Sequence, residues 1–430
     1  MAGDGQRATL GSAADLLTGF PFKSAEFSEE PSDIRLLRGD NVAQGVLRWD
    51  GAKRWPASKA ADHQEYLLRA GDVVLAMDRP WIEAGLKHAT LTEADCPSLL
   101  VQRVACLRAR SGLDQRFLGY VIRSADFTNY ILGVQTGTAV PHISGAQIKA
   151  YEFFLPSIAH QERAANLLSA LDDKIELNRR MAETLEGMAR AIFKSWFVDF
   201  DPVRAKAEGR PTGLPDDLAA LFPDGFEDDG VPSGWKLMPL SSVGEFLNGL
   251  ALQKFPADKV EESLPVIKIA EMRSGPTAKS ARASLKVPTE FRVDDGDHLF
   301  SWSGSLTHCR WTHGPGALNQ HLFKVTPRSV PGWLLYEAVE HHLPEFQRIA
   351  SGKAVTMGHI QRHHLDEALV AVPPVACFHA LDSVLSPIHE RSFRLALQSR
   401  ILATLRDTLL PKLISGELRI ADAERRIAAA

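Results

Sequence analysis

The sequence runs through the same order of motifs twice. LLTGFPFKSAEF around Gly19 is answered by FLNGLALQKFPA around Gly249, and IRLLRGDNVAQG ending at Gly45 by LPVIKIAEMRSG ending at Gly275. The two glycine pairs share one offset, so nothing is inserted between them. LRAGDVVLA around Gly71-Asp72 then matches VDDGDHLFS around Gly296-Asp297. GTAVPHISGAQIKAYEFFLP from Gly137 matches GKAVTMGHIQRHHLDEALVAVP from Gly352 with a two-residue adjustment. Matches that keep their order over such lengths mean two copies of one domain rather than chance likeness. Within each copy, short apolar runs (VVLAM, VACLRA, EFFLP; VIKIA, HLFKV, ALVAV) punctuated by glycine and proline read as strands. LLYEAVEHHLPEF reads as a helix between them. Each copy is thus expected to be an α+β domain of roughly 150 residues, an ordinary domain size.

A long helix follows each copy. Leu168, Leu171, Ile175, Asn178, Ala182, Leu185, Ala189, Ile192 and Trp196 alternate spacings of three and four, and so do Leu381, Val384, Ile388, Arg391, Leu395, Gln398, Leu402, Leu405 and Leu409. This is the a/d seam of a coiled coil. Asn178, Arg391 and Gln398 on the seam fit a pair whose register is set by polar residues, and they would be costly in a fully apolar core. The plainer alternative is two long core helices. Pro387 interrupts the second run, and with Ser386 before it reads as a fresh, capped helix start. The expected architecture is two similar mixed α/β domains separated by two long antiparallel coiled-coil helices, an internal pseudo-twofold repeat. Its divisions are 1–157, first domain; 158–200, central helix; 201–234, linker; 235–374, second domain; and 375–430, C-terminal helix and tail.

The chain of 430 residues has a net charge of −4, so it lacks the overall basic footprint of a generic nucleic-acid binder. No apolar run approaches the length of a membrane span, and the N-terminus lacks a secretory pattern. Four scattered cysteines without a Cys-x-x-Cys pair suit free thiols in a reducing cytoplasm. The chemistry of an enzyme is missing at the motif level. There is no Gly-x-x-x-x-Gly-Lys-Ser/Thr phosphate loop, no Asn/Asp-Pro-Pro-aromatic methyltransferase motif and no Gly-rich cofactor loop after a strand. LDDKIEL (171–177) has nuclease-like letters, but on a heptad helix these are flank charges. His308, Cys309 and His313, like His359, His363 and His364, fall short of four zinc ligands. Trp196, Phe197 and Phe200 are expected to anchor the end of the central helix.

The most specific segment is AIFKSWFVDFDPVRAKAEGRPTG (191–213), followed by LPDDLAALFPDGFEDDGVPSGW (214–235) and, near the end, LRDTLLPKLISGELRI (405–420). With TGFPFKSAEF (18–27), TGTAVPHIS (136–144), GDHLFSWSGSL (296–306) and ALNQHLFKV (317–325), the chain resembles the specificity subunits of type I restriction–modification complexes over nearly its whole length. It departs at TMGHI (356–360), where the second copy carries two more residues. The resemblance implies a non-catalytic protein that reads an asymmetric, bipartite target in double-stranded DNA through two recognition domains. It also implies docking of two modification (methyltransferase) subunits and two restriction (helicase–nuclease) subunits, in the cytoplasm and without a membrane. S-adenosylmethionine, ATP and magnesium would belong to those partners, with no cofactor or metal in this chain. The other reading is a scaffold that keeps the helices without reading DNA.

Base reading needs Arg, Lys, Asn, Gln, Ser or Thr on loops that enter a groove. The loops after the Gly-Asp strands offer Arg79 and Lys87 in the first copy and Ser301, Ser303, Ser305 and His308 in the second. The Gly-rich loops offer Gln135, Thr136, Thr138, His142 and Ser144, echoed by Lys353, Thr356 and His359. Lys23 and Gln320 complete the candidates.

Overall fold

In the computed structural model, which describes residues 5–137, 139–257, 259–352 and 358–428, the repeat is a repeat of strand order. The chain divides into two units, Met1–Asp173 with Ile401–Ala430, and Lys174–Arg400. In the first, a four-stranded antiparallel sheet runs Ala14–Thr18, Val104–Ala109, Val73–Ala76, His88–Thr90. In the second, the same order is Gly244–Asn248, Leu322–Pro327, His298–Ser301, His308–Arg310. VVLA (73–76) is buried at every position, which is why it reads as a continuous apolar run instead of an alternation. A second sheet repeats as well. Ile34–Leu37 lies between Arg54–Trp55 and a parallel Ser98–Leu100, and Ser263–Ile267 lies between Arg282–Ser284 and a parallel Gly316–Leu318.

The leading glycine of each copy has one physical reason. A Cβ at Gly19 would lie 2.2 Å from the Val101 carbonyl oxygen, and one at Gly249 would lie 2.2 Å from that of Asn319. Only glycine lets these two backbones approach. The same hydrogen bonds then form in both units: Gly19 N–H to Val104 O (3.0 Å) and Phe20 N–H to Leu100 O (3.0 Å), Gly249 N–H to Leu322 O (2.9 Å) and Leu250 N–H to Leu318 O (3.0 Å).

The heptad runs form the helices Ile158–Phe193 and Val375–Ile414. Pairing is antiparallel in each unit. In the first, Asp172 meets Arg406 (2.7 Å) and His160 Nε2 meets the Leu413 carbonyl (2.9 Å). In the second, the Asn178 amide donates to Gln398 Oε1 (3.0 Å) and the Ser392 hydroxyl to Glu186 Oε1 (2.9 Å). Asn178 is fully buried. Two details correct the heptad reading. Arg391 is exposed and Ser392 takes the inward position, because the seam shifts by one residue beside Glu186. Nor does a helix begin at Ser386. The helix runs unbroken through Pro387, and the Ser386 hydroxyl donates back to Asp382 (2.6 Å). A proline removes one backbone bond, and Leu381 and Leu385, both buried, hold the preceding turn in place.

Residues 201–234 are ordered packing. Val203, Phe222 and Val231 are buried in the second unit's core beside Trp235, with Trp196 5.4 Å from Phe222 and Phe197 5.6 Å from Trp333. These rings anchor the end of the central helix, as expected from the sequence.

The two units meet their long-helix segments through different chemistry. In the first unit, Asp172 is ion-paired with Arg123 (3.0 Å) and Arg406, and the Tyr120 hydroxyl donates to it (2.9 Å). In the second unit, Tyr336 is surrounded by His298, His308 and His389 at ring distances of 5.0, 4.5 and 5.6 Å. His308 pairs with Glu340 (2.9 Å), and His389 Nε2 lies 3.2 Å from Glu337. Burial holds His389 down at about 4 and, with the charge of Glu340, lifts Glu337 to about 8. At neutral pH the Glu337–His389 contact therefore joins a protonated carboxyl to an uncharged imidazole, and no hydrogen bond forms at His389 Nε2 among the described residues.

Candidate nucleic-acid interface

Beyond the strands 73–76 and 298–301, both units close a loop with the same backbone bonds. In the first, Met77 N–H donates to Arg103 O (2.8 Å), Arg79 N–H to Pro141 O (2.7 Å) and Ile143 N–H to Met77 O (2.9 Å). In the second, Trp302 N–H donates to His321 O (3.3 Å), Gly304 N–H to Gly358 O (2.7 Å) and Ile360 N–H to Trp302 O (3.0 Å). This frame pairs Asp78 with Ser303, Arg79 with Gly304, Gln102 with Gln320, Arg103 with His321 and His142 with His359. Isolated bridges Asp78–His142 and Ser303–His359 agree with it.

In the first unit the frame carries charge. The Asp78 carboxylate accepts from His142 Nδ1 (2.6 Å) and lies 3.7 Å from Arg103 Nε. Since an ionised carboxylate only accepts, His142 holds its proton on Nδ1 and turns Nε2 toward Arg103 Nη1 (3.4 Å). Arg79 and Arg103 both stand in the left-handed backbone region, at φ 45° and 67°. The Arg79 side chain is exposed and makes no hydrogen bond or ion pair among the described residues. Both arginines line a cleft of about 820 Å³ with Arg38, Lys53, Lys87 and Asp40. Burial, reinforced by Arg79, lowers the Lys87 ammonium below the usual lysine range.

In the second unit the frame is neutral. The Ser303 hydroxyl meets His321 Nδ1 (3.0 Å), and the Gln320 amide meets His321 Nε2 (3.3 Å). The His359 ring stands edge-on to Trp302 at 6.5 Å.

Of the residues expected from the sequence, Arg79, Lys87 and His142 gather on the first frame, and Ser303, Gln320 and His359 on the second. Lys23 is exposed between Phe22 and Ser24, which line the cleft. Thr136 is exposed and pairs its backbone with His142; Gln135 beside it is half-buried. Ser305 is exposed at the tip of its loop. Four assignments are corrected. The Ser303 side chain is buried, with its hydroxyl held against His321. The Ser301 hydroxyl is fully buried and bonded to the backbone of Ser305 and Thr307, so no surface remains for a base. The His308 side chain is fully buried against Glu340 at the helix junction. Ser144 caps the helix Gly145–Lys149, its hydroxyl engaged with Gln147. Thr138, Lys353 and Thr356 lie outside the described residues. Asp78, Gln102, Arg103 and His321 were missed, although carrying the internal repeat through LLVQRV and ALNQHL aligns Gln102 with Gln320.

Other chemistry stays structural. Asp172 of the nuclease-like LDDKIEL is held by two arginines. His363, His364 and Glu367 bring ligand atoms within 4.8 Å of one another, but His364 Nδ1 already accepts the Gln361 N–H. Three ligands, two of them exposed, fall short of a structural zinc site. Among the described residues no helix is long and apolar enough to cross a membrane.

The chain is similar to known proteins. The family described as type I restriction modification DNA specificity domain matches residues 55–187. The chain is similar to the HindI specificity subunit of Haemophilus influenzae, 26% identical over 355 residues, covering 70% of this chain and 77% of that one. It is also similar to the MjaIX specificity subunit of Methanocaldococcus jannaschii, 24% identical over 323 residues, covering 73% and 71%. In fold it is similar to a type I restriction–modification S subunit from M. genitalium, with a TM-score of 0.54, 15% identity and 96% of each chain covered.

Proposed function

We propose, on the premise that this chain belongs to the specificity subunits of type I restriction–modification systems, that its two frames read two different half-sites in double-stranded DNA. Such subunits are the non-catalytic component of their complexes. The observation that carries the reading is the frame itself: one set of backbone bonds, built twice and finished with different polar side chains. Polar and charged groups on rigid loops are what base-edge readout requires. Two unlike tips make the target asymmetric and split.

The partners follow from the same reading. Two modification subunits carrying S-adenosylmethionine would dock on the long helices and methylate adenine after extruding it from the stack. Two restriction subunits would supply ATP- and magnesium-dependent cleavage, and the assembly would work in the cytoplasm. Partners that contribute phosphate contacts reconcile DNA binding with a net charge of −4.

The test is genome-wide mapping of methyladenine in the native strain and in a deletion of this gene. Loss of methylation at one split, asymmetric motif is the expected result. Survival of every methylated motif would put a scaffold without DNA reading in its place.

A further inference from the structure

We infer that Arg79, seconded by Arg103, reads guanine in the half-site of the first unit, and that the second unit lacks this requirement because Gly304 and His321 stand at the equivalent positions. The inference rests on the DNA-reading function proposed above and names what one frame recognises.

The frame bends the chain into the left-handed region at Arg79 (φ 45°) and at Gly304 (φ 69°). Glycine adopts this conformation freely, whereas a side chain there is strained. The second unit shows that glycine suffices for the bend. An arginine kept at that position in the first unit therefore has a use other than making the turn, and strain of this kind gathers at functional sites.

Its surroundings say which use. The Arg79 guanidinium has no hydrogen-bond or ion-pair partner among the described residues and faces the cleft that Lys53, Lys87 and Arg103 also line. Arg103 is strained too, at φ 67°, and is steadied by Asp78 at 3.7 Å and His142 at 3.4 Å. The Asp78 carboxylate behind Arg103 orients the fork of that arginine, while the backbone bond from Arg79 N–H to Pro141 O holds Arg79 beside the same cleft. A fixed guanidinium fork matches O6 and N7 of guanine, the commonest specific contact of arginine in the major groove. The second frame offers Gln320 and His359 around His321, with Ser303 buried and no arginine on the five equivalent positions. Its readout is by neutral donors and acceptors.

A single variant separates reading from folding. Arg79→Gly installs the residue that the second unit already uses at this bend, so the loop closes as before. In the assembled complex, methyladenine mapping with Arg79→Gly is expected to show one guanine of one half-site relaxed to other bases, while the other half-site stays strict. A matching binding measurement uses the wild-type complex on duplexes in which each guanine of the motif is replaced in turn by 7-deazaguanine, which lacks the N7 acceptor. One position in the same half-site should weaken binding about tenfold or more for wild type and not for Arg79→Gly. An unchanged, equally strict motif would overturn the inference. So would an even loss across all sequences with a shallower salt dependence, which is the mark of a phosphate contact. If deletion of the gene leaves all methylation intact, the DNA-reading function itself fails. If deletion removes a motif that Arg79→Gly leaves strict, only the guanine assignment fails.

Discussion

Two loops of this chain are closed by the same three backbone bonds and finished differently. In the first unit, Asp78, Arg79, Gln102, Arg103 and His142 make a charged tip with two strained arginines. In the second, Ser303, Gly304, Gln320, His321 and His359 make a neutral tip, and the bend is occupied by glycine. The junctions with the long helices differ as well, ion pairs around Asp172 against a histidine–glutamate cluster around Tyr336 in which burial keeps His389 and Glu337 uncharged. A duplicated scaffold has thus kept what backbone geometry demands and changed the side chains on the frame and at the helix junctions. Under the proposed function, this divergence would let one fold read two half-sites.

The strongest way to break the comparison is to attack the shared frame. Gly19→Ala and Gly249→Ala each place a Cβ against a backbone carbonyl, and each should destabilise its own unit by more than about 3 kcal/mol. Segment-resolved hydrogen exchange would show the loss confined to Met1–Asp173 with Ile401–Ala430 in one variant and to Lys174–Arg400 in the other. Tolerance of either alanine would mean that the two units do not share the close approach.

The next largest effect is the pH response of the junctions. Burial lowers His298 to about 3 and His389 to about 4 from an ordinary 6.5. Their contribution is present above about 6.5 and is lost as pH falls toward those values. Glu337 is raised from 4.5 to about 8, so its contribution is present at low pH and is lost as pH rises through 8. Two histidines outweigh one glutamate on the acid side, and the second unit should be most stable near pH 6.5. Glu337→Gln should remove the alkaline decline, worth about 2 kcal/mol between pH 6.5 and 8.5. Urea unfolding across that range, followed by exchange in the second unit, measures it. A flat profile in the wild-type chain would contradict the neutral Glu337–His389 pair.

Smaller effects sharpen the contrast. Asp172→Asn should cost the first unit about 1–3 kcal/mol, because Arg406 is left half-buried with a weaker partner. Asn178→Leu should change the stability of the second unit by less than about 1 kcal/mol, since Gln398 can turn to water. Both are read by denaturant midpoints at pH 7.

How much of this was legible in the sequence follows from how each feature is encoded. Heptads and glycines are local and rigid in their demands, so the long helices, the doubled order and the equivalence of Gly19 with Gly249 could be read directly. The antiparallel pairing at Asn178 and Gln398 followed from polar letters on an apolar seam. The candidate side chains of the frame were harder. Arg103 lies far along the chain from Arg79, and the pairing of strand Val73–Ala76 with Val104–Ala109, continued by the bond from Met77 N–H to Arg103 O, brings them together. Ser301 and His308 looked like loop residues because they are polar, yet each ends or begins a strand and points inward. Pro387 looked like a boundary because proline usually is one, and long-range packing of the helix overrode it.

The central claim, one frame with two different readers, is tested most directly by selecting bound sequences from a randomised duplex library with the assembled complex. Two specified blocks of different sequence divided by unspecified bases are expected, with guanine required in one of them. A single continuous block, or two copies of the same block, would contradict it.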